Sequence, residues 1–99
     1  MPTQSETEVL DRLFDIAKGG THQSVRVAAF LATWCDAGRT GGFDFTAMWS
    51  LDEDVRNDLI AAFGFIGRNP CYPGELGYTA ALREVYEMWF PEWAADFDS

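Results

Sequence analysis

Between Thr21 and Gly38 the chain carries apolar residues on almost every side of a helical projection, and this stretch limits the folds open to it. Thr21 supplies an N-cap. Around the projection, Val25, Val27, Ala28, Phe30, Leu31, Ala32, Trp34 and Cys35 leave Arg26, Thr33 and Asp36 as the clear solvent positions. A helix that is apolar nearly all round belongs at the centre of a structure. The segment therefore predicts a core helix running to about Ala37, with Gly38 behind it, and other helices must cover it.

The remaining periodicity supplies them. Ser5 and Glu8 form an S-x-x-E capping box ahead of a helix that reaches Lys18 and stops at Gly19-Gly20. Its apolar arc holds Val9, Leu10, Leu13, Phe14, Ile16 and Ala17, opposite Glu8, Asp11 and Asp15. Ser50 and Glu53 repeat the box, so a third helix opens near residue 51 and ends before Asn69-Pro70. Its core stripe is Val55, Leu59, Ala62, Phe63 and Ile66. After Gly77 a last helix places Tyr78, Leu82, Val85, Tyr86 and Trp89 on one face, and Pro91 closes it or begins a turn through Trp93. Between the second and third helices, Asp44 caps a single turn that carries Phe45, Met48 and Trp49 inward. No alternation argues for a strand. The expectation is an all-α fold: one domain over residues 1–99, a compact bundle of four main helices plus one or two short helical turns, with a central apolar second helix and frayed ends at 1–4 and 94–99.

Charge restricts the partners. Seven Lys and Arg residues against 16 Asp and Glu give a net charge of −9. Phosphate backbones are bound by clustered cations, which argues against direct nucleic-acid binding, and anionic membranes are equally unfavourable. Basic protein surfaces are favoured. No run approaches the roughly 20 apolar residues of a membrane span. The chain starts at Met1 with an acidic segment and no signal-like run, and Cys35 and Cys71 read as free thiols. These features predict a cytoplasmic protein.

Catalytic and metal-binding patterns are missing. His22 stands alone in the first turn of the second helix, with no Gly-x-Ser-x-Gly elbow elsewhere. His22, Cys35 and Cys71 are too scattered in sequence to form a preformed metal bite. The glycines at 38, 41 and 42 precede no phosphate-binding lysine, and Asp52-Glu53-Asp54 lacks the pattern of a calcium loop. No catalytic residue, metal or cofactor is expected.

The candidate residues are therefore binding residues. Asp54, Asp58 and Phe65 fall along one stripe of the third helix beside its core face, where acid next to an exposed aromatic suits a protein-facing patch. In the alternative, Phe65 simply widens the core. Asp52 and Glu53 extend the acidic group, although acids in a first helical turn also serve the helix dipole. Glu84 and Glu87 form a second acidic pair on the last helix.

A further set of residues carries a likeness: Ser24-Val25-Arg26-Val27-Ala28 with Phe30-Leu31, Gly41-Gly42-Phe43-Asp44, Trp49, Tyr72-Pro73, Leu76-Gly77-Tyr78, Trp89 and Pro91. Over about four-fifths of its length, from Leu10 to Pro91, the chain resembles an uncharacterised family of small bacterial proteins carried on plasmids and integrative elements. The shared residues are glycines, prolines and aromatics, so no functional role is carried over. The setting implies a protein that binds and disarms a component of a host or rival system, as anti-CRISPR proteins and nucleic-acid mimics do.

Three readings follow. The first is a non-enzymatic acidic module that binds a basic groove of a protein, as an inhibitor of a bacterial defence system. The second is a structural or regulatory accessory protein, homodimeric through Phe65, Trp93 and Phe97. The third is an enzyme with an unrecognised carboxylate site.

Overall fold

The computed structural model describes residues 2–97, and its elements are helical throughout, with no strand among the described residues. Four α-helices, α1 (Gln4–Ala17), α2 (His22–Thr40), α3 (Glu53–Arg68) and α4 (Thr79–Trp89), alternate with three 3-10 segments, η1 (Phe45–Ser50), η2 (Pro73–Leu76) and η3 (Pro91–Phe97). The expected all-α bundle is thus the observed one. Of the ends expected to fray, Thr3 caps α1, Gln4 opens it and residues 91–97 form η3, while Met1, Asp98 and Ser99 lie outside the described residues.

The helix starts show how competing caps are resolved. α1 uses Thr3 and Glu6 rather than Ser5 and Glu8: Thr3 Oγ1 accepts from the Glu6 N–H at 3.1 Å, and the Glu6 carboxylate accepts from the Thr3 N–H at 2.9 Å. The earlier box wins because the second Glu6 oxygen also accepts from Arg68 on α3 at 3.1 Å. α2 does begin at the Thr21 cap, whose side chain accepts from the Ser24 N–H.

α3 does not use the Ser50–Glu53 box. Ser50 belongs to η1, where its hydroxyl donates to Ala47 O, and Leu51 is buried in an extended conformation that delays the helix. Asp52 becomes the N-cap, and Gln23 of α2 holds it from both sides. The Asp52 N–H donates to Gln23 Oε1 at 2.8 Å, and its carboxylate accepts from Gln23 Nε2 at 3.1 Å.

α2 also ends later than Gly38. Asp36 leaves helical geometry at φ −163°, ψ 81°, and its carboxylate accepts from the Arg39 N–H. It thereby caps one further turn, which closes on Gly41 at φ 92°. Only glycine adopts such an angle without strain.

α1 is the hub of the packing. It lies against α2, α3 and α4, whereas α2 and α3 scarcely approach one another. Leu10, Leu13, Phe14 and Ala17 of α1 meet Val27, Ala28 and Leu31 of α2, Leu59, Ala62 and Phe65 of α3, and Leu82, Val85 and Tyr86 of α4 in one core. Directional contacts fix the arrangement. Trp89 Nε1 donates to Ala17 O at 2.7 Å, Trp34 Nε1 to Cys71 O at 2.9 Å, and Tyr78 stacks on Phe14 at 4.5 Å while its hydroxyl donates to Asp11.

Two expectations about aromatic placement are corrected here. On α3 the buried phenylalanine is Phe65, 2% exposed, and Phe63 stands 62% exposed. The core face is rotated toward α1, because that helix packs on the Phe65 side. On η1, Phe45 and Trp49 point outward, 73% and 82% exposed, with Met48 half-buried. A 3-10 helix has three residues per turn, so Phe45 and Met48 share one face and Trp49 lies about 120° away from it.

Two stability outcomes follow. Phe65→Ala should cost about 3–5 kcal/mol in urea unfolding, the range for a buried aromatic, and Phe63→Ala should stay within about 0.5 kcal/mol, as an exposed position does. Glu6 has its carboxyl held below the ordinary glutamate range, chiefly by the Thr3 N–H and further by the hydrogen bond from Arg68. A lowered folded-state pKa stabilises above the unfolded value and ceases to as pH falls through the folded one. Urea midpoints should therefore fall further across acidic pH in the parent than in Glu6→Gln, where the remaining fall includes that of Asp44.

Candidate functional site

The predicted acidic stripe lies at the α1–α3 contact. Asp58 receives two hydrogen bonds from Arg12 of α1, at 3.0 and 2.9 Å, and is mostly covered. Phe65 is in the core below it, so it cannot be the exposed aromatic of a partner patch. The likeness to a protein-facing patch had a physical basis, but the facing partner is α1 of the same chain. Asp54 remains exposed beside this contact, in a shallow cleft of mixed character with Arg12, Ile16, Val55, Asn57 and Asp58. Asp52 is exposed and engaged by Gln23, and Glu53 is exposed. On α4, Glu84 pairs with Lys18 at 3.2 Å and Glu87 faces solvent. The structure does not gather the seven candidates into one site.

The aromatics named for dimerisation fare similarly. Phe65 is internal, and Trp93 is half-buried with the Arg39 guanidinium 4.9 Å above its ring. The side chain of Phe97 lies outside the described residues.

A different surface is continuous and apolar. Where α2 and α3 diverge, the Gly41–Ser50 segment folds into the gap, and two adjoining depressions of about 240 and 390 Å³ form there. Phe30, Phe43, Phe45 and Phe63 line both. Thr33, Trp34 and Ile66 extend the groove one way; Met48, Leu59 and Ile60 extend it the other. Phe43 is the hinge of this aromatic set, edge-on to Phe30 at 5.5 Å and to Phe45 at 6.3 Å. Beyond Trp34 and Ile66 the depression continues over Cys71, Tyr72 and Glu75. Phe45, Ile60, Phe63 and Tyr72 are each more than half exposed. Scattered exposed apolar residues are ordinary; here they are contiguous.

The groove is apolar. Its lining between Met48 and Ile66 contains no ionisable side chain, and the one hydroxyl, on Thr33, donates to Ala29 O at 2.7 Å. Nearby, burial pushes the Cys35 thiol up from its ordinary value, partly offset by a hydrogen bond with Tyr86, so the thiolate needed for nucleophilic attack is disfavoured.

Sequence reasoning missed this surface, although one signal for it was present. At about 100° per residue the apolar arc of α3 from Phe65 round to Ile60 spans about 220°. One packing face cannot cover that width. The excess, Ile60 and Phe63, is what the groove exposes.

The likeness to an uncharacterised family can be set beside direct comparison. Searches of curated proteins and of solved structures give no match. A model of a family of unknown function, DUF7673, matches residues 7–90, and the chain belongs to that family.

Proposed function

We propose that this chain is a non-enzymatic protein-binding module whose docking surface is the aromatic groove between α2, η1 and α3. The observation that carries the reading is the contiguous exposure of Phe45, Ile60 and Phe63 around Phe30 and Phe43, in a lining without reactive groups. Burying such aromatics supplies the dense central contacts on which binding energy concentrates.

The acidic surface has the secondary role of steering. A net charge of −9 raises the encounter rate with a basic partner and falls away with salt. In the mobile-element setting implied by the family resemblance, the finer form of the reading is a cytoplasmic inhibitor that occupies a working surface of a bacterial defence protein.

The test compares affinity capture from a bacterial lysate by the parent, by Phe63→Ser and by Asp54→Lys. Phe63→Ser should keep the parental helical circular dichroism and unfolding midpoint yet lose its captured proteins. Asp54→Lys should retain them, with weaker retention confined to low salt. Equal capture by the parent and Phe63→Ser would remove the groove from the binding role.

A further inference from the structure

We infer that the groove receives an amphipathic α-helix of the partner protein, apolar on the face that enters and basic along its flanks. This rests on the groove being the docking surface and adds what must fill it.

Backbone hydrogen bonding selects the helix. The walls are side chains of two helices and a 3-10 turn, and no strand edge exists among the described residues. A peptide bound as a β-strand gains its affinity by pairing with such an edge. Pressed against Phe30, Phe43 and Phe63, it would instead bury N–H and C=O groups that nothing here can satisfy. A helix arrives with those bonds already made and can present ridges to a groove. The length agrees. From Ile60 to Ile66 the α3 wall rises about 9 Å, and Tyr72 prolongs the floor, which suits two to three helical turns.

Charge selects the flanks. Asp44 stands between Phe43 and Phe45, Glu53 lies two turns before Ile60 on the same side of α3, and Glu75 borders the continuation past Trp34. The Asp44 carboxyl is held below the ordinary aspartate range by its hydrogen bonds from the Thr46 hydroxyl and N–H, so it is ionised at neutral pH. Among the chain's own cations, Arg39 pairs with Asp36 and Arg68 with Glu6, while Arg56 donates to the Leu51 carbonyl and keeps its charge. Lysines or arginines beside the apolar face of an incoming helix would meet these acids. A second copy of this chain would bring another net −9 and set like charges against each other.

Two displayed peptide libraries of about 16 residues, selected against the full chain, test the inference. One is helix-stabilised with a randomised face and flanks, and the other is linear with a central proline that forbids a helix. The helical library should yield binders with large apolar residues at i, i+3, i+4 and i+7 and with Lys or Arg beside them. Their affinity should fall at least about tenfold on Phe63→Ser and several-fold between about 50 and 300 mM salt.

Binders that come from the linear library, carry acidic flanks or ignore Phe63→Ser would overturn the inference. So would a helical library that yields none. If the helical library is empty while Phe63→Ser still abolishes capture from lysate, the helical occupant falls and the docking groove stands. If sedimentation shows a dimer that Phe63→Ser disperses, a second copy is the occupant and the inference falls. If capture survives Phe63→Ser and selected helices bind elsewhere, both readings fall together.

Discussion

The position of α1 against three helices at once governs the rest of the molecule. One face of α1 serves all three neighbours: Leu10, Leu13, Phe14 and Ala17 are all sealed in the core. Arg12 reaches Asp58 on α3, Lys18 reaches Glu84 on α4, and Glu6 receives Arg68 from the far end of α3. These exposed pairs contribute little individually. Their value lies in direction, since each forbids a rotation of α1 that the non-directional core alone would tolerate. With α1 wedged between them, α2 and α3 are held apart, and the space between them has to be filled by something other than a helix.

What fills it is the segment from Gly41 to Leu51, and it does so incompletely. Successive positive φ angles at Gly41 and Gly42 turn the chain back toward α3, Phe43 reaches Phe30, and Leu51 is buried where α3 begins. Six residues of 3-10 helix are too short and too tightly wound to replace a fifth α-helix. Phe45, Ile60 and Phe63 consequently remain at the surface. The groove is a direct result of α1 being shared by three neighbours.

That origin explains which features could be read from sequence. The four helices and the Thr21 cap were legible because apolar periodicity and capping are local signals. The ends of the helices were less so, since Thr3 and Ser5 offer equivalent local caps and nothing local shows that Glu6 also meets Arg68. Asp36 posed the same problem in reverse. Its capping bond to the Arg39 N–H restarts a helix that Gly38 appeared to stop. The site was least legible. Periodicity identifies the apolar positions of α3 but not the arc a neighbour will cover, so Phe63 and Phe65 exchanged roles. Of the predicted stripe, Asp58 pairs with Arg12 of the same chain and Phe65 lies in the core, while Asp54 stays exposed.

This reassignment changes how the charge of the chain should act. Had Asp58 and Phe65 formed the binding patch, the acids would have been central contacts, and each would have lost its hydration on binding at considerable cost unless paired. With the aromatics at the centre, the acids stand at the margin, where they remain wet and shape the approach of a partner more than its residence. In the proposed role the two jobs would be separable by position: Phe30, Phe43 and Phe63 for holding, Asp44, Glu53 and Glu75 for orientation. An apolar surface of this kind also invites self-association, and a strong net charge of one sign opposes it. In the proposed role the acidity of the chain would serve the groove twice, by opposing a second copy and by attracting a partner of opposite charge.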